Sequence, residues 1–199
     1  MTTHVRKASA KVEPLFLDRW SPRAFDESSI SSIDLDAIFE AASWAPSAFN
    51  YQPWRFLFAH RDSADWPLFL ESLLPFNQSW AERASVLVAV LSDTQMAAGL
   101  NAEPQPSYSH SFDAGAAWAL LALQAARLGY HAHGMTGVDF ERLRERLAIP
   151  ERFRIEAAVA IGRRADKSIL PQSLQPCEQP SGRKTVAEIA FEGRFPGSS

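Results

Sequence analysis

The stretch Ser43-Trp44-Ala45-Pro46-Ser47-Ala48-Phe49-Asn50-Tyr51-Gln52-Pro53-Trp54-Arg55-Phe56 joins a helical pattern to an apolar strand through small, amide, proline and aromatic residues. Pro46 cannot continue a helical ladder and pushes Ala45 towards an extended conformation, so the preceding helix has to stop there. Pro46 and Pro53 restrict the conformations of the connection between them, and Ser47, Asn50 and Gln52 offer hydrogen bonds from partly pre-positioned side chains. The stretch reads as a binding loop; a plain helix-to-strand connection is the simpler alternative.

Working outward, Ser31-Ser32-Ile33-Asp34 starts a helix in a capping-box-like manner, with Asp in place of Glu, and Leu35, Ile38, Phe39 and Ala42 give it an apolar face. Trp54 to Ala59 has strand length, residues 65–74 predict a helix, and Leu73 to Trp80 reads as a turn rich in aromatics and amides. Ser85-Val86-Leu87-Val88-Ala89-Val90-Leu91 is apolar on both faces, which predicts a strand inside the sheet. Residues 96–108 lack periodicity and read as a loop that could serve as a mobile lid. Ser111 to Leu128 predicts the longest helix, with Ala, Leu and Trp nearly all round and hence burial along most of its length; Gly129 closes it. Tyr130 to Gly137 predicts a short strand opening into a glycine turn, 139–147 a charged surface helix, and Ile155 to Gly162 a further buried strand.

Ahead of all this, Pro14 to Trp20 predicts a short helix that stops before Ser21-Pro22. The order of helices and strands does not alternate regularly, and no repeat or linker is visible. One α+β domain over residues 1–199 follows, with a flexible start (1–11) and a Pro-, Gln- and Ser-rich C-terminal extension (163–199) carrying one helical segment near 185–191. The 199 residues suffice for one hydrophobic core, and a net charge of -3 offers no basic field for nucleic acid. Cys177 is the single cysteine, so neither a disulfide framework nor a cysteine-rich metal site is expected. The polar first residues and the lack of an apolar run of bilayer length point to a cytoplasmic protein without a membrane partner.

Arg19, Ser21 and Arg23, at i, i+2 and i+4, fall on one side of an extended segment, a suitable grip for a phosphate; a solvated turn with two exposed arginines is the alternative. Ser47 with Asn50, and Arg183 with Lys184, are further anion- or amide-binding candidates at element boundaries. His131-x-His133, joined by His110, is the minimum for a metal site, but no carboxylate or cysteine stands at ligand spacing, so no metal is expected. His110 and His133 are instead candidate proton donors. Ser47 lacks the elbow motif of a serine hydrolase.

Arg19-Trp20-Ser21-Pro22-Arg23, followed by Ala45-Pro46-Ser47-Ala48-Phe49-Asn50-Tyr51-Gln52-Pro53-Trp54, resembles the two N-terminal signatures of the FMN-dependent nitroreductase family. Phe76-Asn77, the helix from Ala114 to Gly129 leading to Gly134-Met135-Thr136-Gly137, and Ala160-Ile161-Gly162 extend the similarity over nearly the whole chain. The resemblance implies a mostly antiparallel sheet flanked by helices, and a homodimer with two identical FMN sites across its interface. It places Arg19, Ser21 and Arg183 at the phosphate, Arg23 near the pyrimidine edge, and Asn77 against the flavin. Thr136 and Gly137 would face the ring near N5, while Pro46, Ser47 and Asn50 would arrive from the partner subunit. For Gly137 the structural alternative is a positive φ.

Two departures stand out, because several members carry Glu where Thr136 stands and Lys where Ser181 stands; Lys184 is the candidate to compensate. The implied activity is a ping-pong transfer of hydride from NAD(P)H through FMN to a small electrophilic acceptor of the nitroaromatic or quinone type, with the protein supplying placement and electrostatics. A specialised member (oxidase, dehalogenase or flavin-consuming enzyme) and a low-turnover flavin-binding protein are the alternatives.

Overall fold

The computed structural model describes residues 6–97 and 103–196 of the chain. Four strands form one sheet in the order β1-β2-β6-β5: β1 is Trp54–His60, β2 Val86–Asp93, β5 His131–Met135 and β6 Phe153–Gly162. All three pairings are antiparallel, as the α+β reading expects. β2 holds a central place and every one of its residues is buried, which follows from its continuous apolar run.

Alternation along β2 divides the core in two. Leu87, Ala89 and Leu91 join Phe25, Trp66, Phe69, Trp80 and Leu143 on one face, while Val86, Val88 and Val90 join Leu35, Ile38, Ala117 and Leu121 on the other. The second face is covered by α2 (Ser32–Ser43) and α5 (His110–Arg127), and the first by α3 (Trp66–Leu70), α4 (Pro75–Ala81) and α6 (Phe140–Arg146). Burying an aliphatic side chain gains about 1.5–3 kcal/mol, so a strand apolar on both sides needs both layers. α2 begins as its sequence says: Ser31 caps it by accepting a hydrogen bond from the Asp34 N–H at 3.0 Å. α1 is the short helix Pro14–Asp18.

Several expectations need correction. Residues 73–80 are not a turn, because Pro75 occupies the first position of α4, where its missing N–H has no partner to lose. The helix expected over 65–74 ends at Leu70; Leu73 instead bridges to Val138. α5 is not buried along most of its surface: Asp113, Ala114, Ala117, Leu121, Ala122 and Ala125 form one buried stripe, and Phe112 is 82% exposed. One sheet face can accept only one side of a helix, so the rest of an all-apolar helix stays uncovered within the chain. Within 96–108, β3 (Gln95–Met96) pairs with β4 (Gln105–Pro106). Residues 98–102 of that expected lid, and 1–5 of the expected flexible start, lie outside the described residues. The helical segment near 185–191 is one 3-10 turn, Val186–Glu188, closed by a capping box from Thr185. Among the described residues, no helix is long and apolar enough to cross a membrane.

Candidate functional site

Beyond α1 the chain leaves the helix at Arg19 with extended φ/ψ, bends at Arg23 and is fixed near Phe25 by its backbone. Phe25 bridges to Arg164, and the N–H groups of Asp26 and Ala165 donate to the carbonyls of Arg163 and Ala24. Glu178 adds a clamp from the C-terminal extension. Its carboxylate accepts the backbone N–H of Arg23 at 2.8 Å and that of Ala24 at 2.9 Å. The segment therefore presents Arg19, Ser21 and Arg23 to one cavity of about 310 Å³, shared with Arg6, Trp20, His133, Cys177, Gln179, Ser181 and Arg183.

Four arginines thus face one small space whose lining, among the described residues, contains no carboxylate. Burial, and then the charges of Arg183 and Arg6, hold Arg19 below its ordinary value; burial and Arg183 do the same to Arg6. Arg23 lies 6.0 Å from the Trp80 ring centroid, and its Nε is buried without a hydrogen-bond partner among the described residues. Crowded, under-bonded guanidinium groups make a receptor for a multiply charged anion.

A second cavity, of about 590 Å³, shares Arg19 and Ser21 and is lined by Trp118, Ala122, Leu123, Gly134, Met135 and Thr136. Next to Thr136 the backbone is pinned to α4: the Leu74 N–H and Asn77 Nδ2 both donate to the Gly137 carbonyl, at 2.9 and 3.0 Å. Gly137 has no positive φ; its requirement is space, since a Cβ there would lie 2.5 Å from Asn77 Nδ2. The glycine leaves a niche for the Asn77 amide, which is only 8% exposed.

His133 lies between the two regions. Its Nδ1–H donates to the Pro22 carbonyl at 2.9 Å and its ring packs on Trp80 at 4.6 Å. Burial above all, opposed by the Pro22 hydrogen bond and aided by the charge of Arg23, lowers its pKa to about 4; burial and the charges of Arg164 and Arg19 bring His131 to about 4 as well. At neutral pH His133 is therefore an uncharged imidazole whose single proton is committed to Pro22, a poor proton donor. In the unfolded chain both rings titrate near 6.5, so between pH 6.5 and 4 the unfolded state binds more protons and stability falls on acidification, by on the order of 3 kcal/mol per histidine at its fullest. Melting temperatures across this window should fall steeply, and His131→Asn/His133→Asn should flatten the profile.

The loop at residues 46–53 is held at several points. Ser47 Oγ accepts the Gln52 N–H at 2.9 Å, and the buried Asp113 of α5 accepts the Ala48 N–H at 3.2 Å and the Ser109 hydroxyl at 2.9 Å. Phe49, Asn50 and Gln52 have φ of 54°, 53° and 53°, a left-handed conformation that non-glycine residues adopt only when their surroundings enforce it. Enforcement comes from the Tyr51 hydroxyl, which bonds Asp93 Oδ2 at 3.1 Å and the Gln95 carbonyl. Asp93 in turn takes a bidentate pair from Arg152, both bonds at 2.6 Å. Burial opposes the charge of Asp93, but the hydrogen bonds from Arg152, Gln95 N–H and Tyr51 and the Arg152 charge keep it below the usual carboxylate range.

Within one chain, then, Arg19, Ser21, Arg23 and Arg183 converge, Thr136 lies in the adjoining cavity and Asn77 meets Gly137. Pro46, Ser47 and Asn50 line neither cavity, and Lys184 is exposed and lines neither. His110 belongs to a separate group: Ser92 Oγ lies 2.7 Å from its Nδ1 and donates to Glu156 at 2.5 Å. Arg6 and Glu178 were not among the sequence candidates. Arg6 sits in a polar stretch without periodicity, and Glu178 is 155 residues from its partner Arg23.

The molecule thus combines an antiparallel α+β layer with a four-arginine cleft, a lining suited to a small, multiply charged anion. The nitroreductase family model matches residues 17–69 and 59–163, and the chain belongs to that family. A Thermus thermophilus NADH dehydrogenase is 31% identical over 180 residues, covering 76% of this chain and 85% of its own. An enone reductase of CLA biosynthesis from Lactiplantibacillus plantarum is 25% identical over 188 residues, covering 78% and 86%. Among solved structures, an oxidoreductase containing FMN superposes with a TM-score of 0.94 at 55% identity, over 100% of both chains. A nitroreductase family protein of Streptococcus pneumoniae shares the fold at 23% identity and a TM-score of 0.72, covering 90% of this chain and 98% of its own.

Proposed function

We propose that this chain is an FMN-dependent oxidoreductase that uses NAD(P)H to reduce small electrophilic acceptors of the nitroaromatic or quinone type. The observation that carries this reading is the arginine cleft without a carboxylate in its lining, which fits a phosphate monoester, in a chain 55% identical to an oxidoreductase containing FMN. The unpartnered Arg23 Nε fits the same ligand.

Arg19, Ser21 and Arg183 would hold the phosphate, with Lys184 an exposed basic neighbour on the same C-terminal arm. Arg23, fixed by Glu178 through its backbone, would stabilise negative charge developing at the pyrimidine edge, where a pre-placed cation needs no reorganisation. Asn77, Thr136 and Gly137 would line the ring. When bound, FMN supplies the two-electron chemistry, accepting hydride from a nicotinamide and passing it to the acceptor in alternate half-reactions. The protein contributes orientation and a fixed field, and no side-chain nucleophile is required.

Pro46, Ser47 and Asn50 would serve the cofactor of the partner subunit in a homodimer. Phe112 at 82%, Phe49 at 83% and Phe195 at 86% exposed, with Val186 and Ile189 on an arm that packs little against its own chain, supply apolar surface for such an interface. Anaerobic addition of NADH or NADPH to the FMN-loaded protein should bleach the flavin band, and a quinone or nitroaromatic should restore it. Failure of both nicotinamides to bleach bound FMN would replace the reductase with a flavin-binding protein.

A further inference from the structure

We propose that Arg6, which lies ahead of the family-matched residues, is a phosphate-binding residue that joins the N-terminal segment to the cofactor cleft. The inference rests on the FMN reading above and assigns its phosphate a ligand that the sequence patterns do not indicate.

Among the described residues, carbonyl groups alone hold Arg6 in place. Its Nε donates to the Ser181 carbonyl at 2.9 Å, and its Nη1 to the carbonyls of Arg19 at 2.8 Å and Leu17 at 3.3 Å. These three bonds use the Nε–H and both Nη1 hydrogens, which leaves the two on Nη2 without an acceptor among the described residues. The guanidinium is thereby immobilised on the lining of the 310 Å³ cavity, beside Arg19, Arg23 and Arg183. It is fixed beside Ser181, which carries no charge, whereas Lys184, three positions on, lines neither cavity.

Charge selects the ligand's end. The nearby Glu178 has its carboxylate engaged by the Arg23 and Ala24 N–H groups, and His133 is neutral, so the lining carries four positive charges. Arg183 depresses both Arg6 and Arg19, which marks like charges held close together. A neutral ribityl hydroxyl would not relieve that repulsion; a phosphate dianion would, and Arg6 offers it the N–H donors of Nη2 on a guanidinium already fixed through Nε and Nη1. Because Arg6 also bonds the backbone at 17, 19 and 181, phosphate would connect three segments distant in sequence.

The test compares FMN with riboflavin, which lacks the phosphate, by fluorescence titration of flavin-cleared protein. Arg6→Ala should weaken FMN by about tenfold to a hundredfold, the value of one charge-assisted contact, and leave riboflavin within about twofold. Arg6→Lys should recover part of the loss, since it restores charge but not the placement that the three carbonyl bonds give it. Unchanged FMN affinity in Arg6→Ala would overturn the proposal, as would equal weakening of FMN and riboflavin, which would make Arg6 a strut for the segment. Wild-type protein that binds neither flavin would overturn the parent reading itself, and the wild-type arm separates that failure from the failure of Arg6. Arg6→Gln keeps a donor without charge and gives the same comparison should the alanine variant fold poorly.

Discussion

The double variant Arg19→Ala/Arg183→Ala is expected to weaken FMN by about a hundredfold to ten-thousandfold, the loss of two charge-assisted contacts. Its flavin-free form should melt no lower than the parent. The two expectations have one cause. Arg19 is half-buried among like charges, and burial together with Arg183 and Arg6 holds it below its ordinary value, so the folded chain opposes the charge that the cofactor needs. Binding sites commonly hold such local conflict, which the ligand relieves. Thermal melts without flavin and equilibrium titration with FMN check both halves. A destabilised flavin-free protein that still binds FMN normally would make the arginines structural.

Asp93→Ala should lower stability by about 2–4 kcal/mol, or roughly 5–15 °C in melting temperature for a chain of this size. The Asp93 carboxylate is nearly inaccessible and ties Arg152, Tyr51 and the Gln95 N–H together at the end of β2. Without it the Tyr51 hydroxyl loses its contact with Asp93, and the left-handed residues Phe49, Asn50 and Gln52 lose part of the anchor that enforces them. Arg152→Ala should cost at least as much, because it strands a buried carboxylate; the Arg152 side chain, 46% exposed, can rehydrate when Asp93 is the residue removed. Since the native pKa of Asp93 is depressed, its contribution is complete above the unfolded carboxylate range and is lost as pH falls through the native value. In Arg152→Ala that acid-range dependence should shrink. FMN affinity should fall with loop order in both variants, measured alongside denaturant melts.

Much of the scaffold could be read in the chain. A continuous apolar run requires two covering layers, so β2 had to be interior, and Ser31 with Asp34 marked the start of α2. What local patterns could not give was partnership. The alanines and leucines of α5 show that it is apolar nearly all round, but only the sheet decides which side is covered. Pro75 signals a turn and a helix start equally well.

The site divides in the same way. Arg19, Ser21 and Arg23 line one cavity, and their meeting there with Arg183 depends on the Glu178 clamp and the Phe25–Arg164 bridge, which are contacts across the chain. Gly137 was open to a conformational reading, and the structure gives a steric one, room for Asn77. Arg6 stood in a stretch expected to be flexible, and its three carbonyl partners have no sequence signature.

Flavin specificity tests the central claim most directly. Flavin-cleared protein titrated with FMN and riboflavin in parallel should bind one FMN per chain and prefer it to riboflavin by at least about a hundredfold, as a four-arginine phosphate cleft requires. Equal affinity for the two flavins, or no saturable binding of FMN, would contradict it.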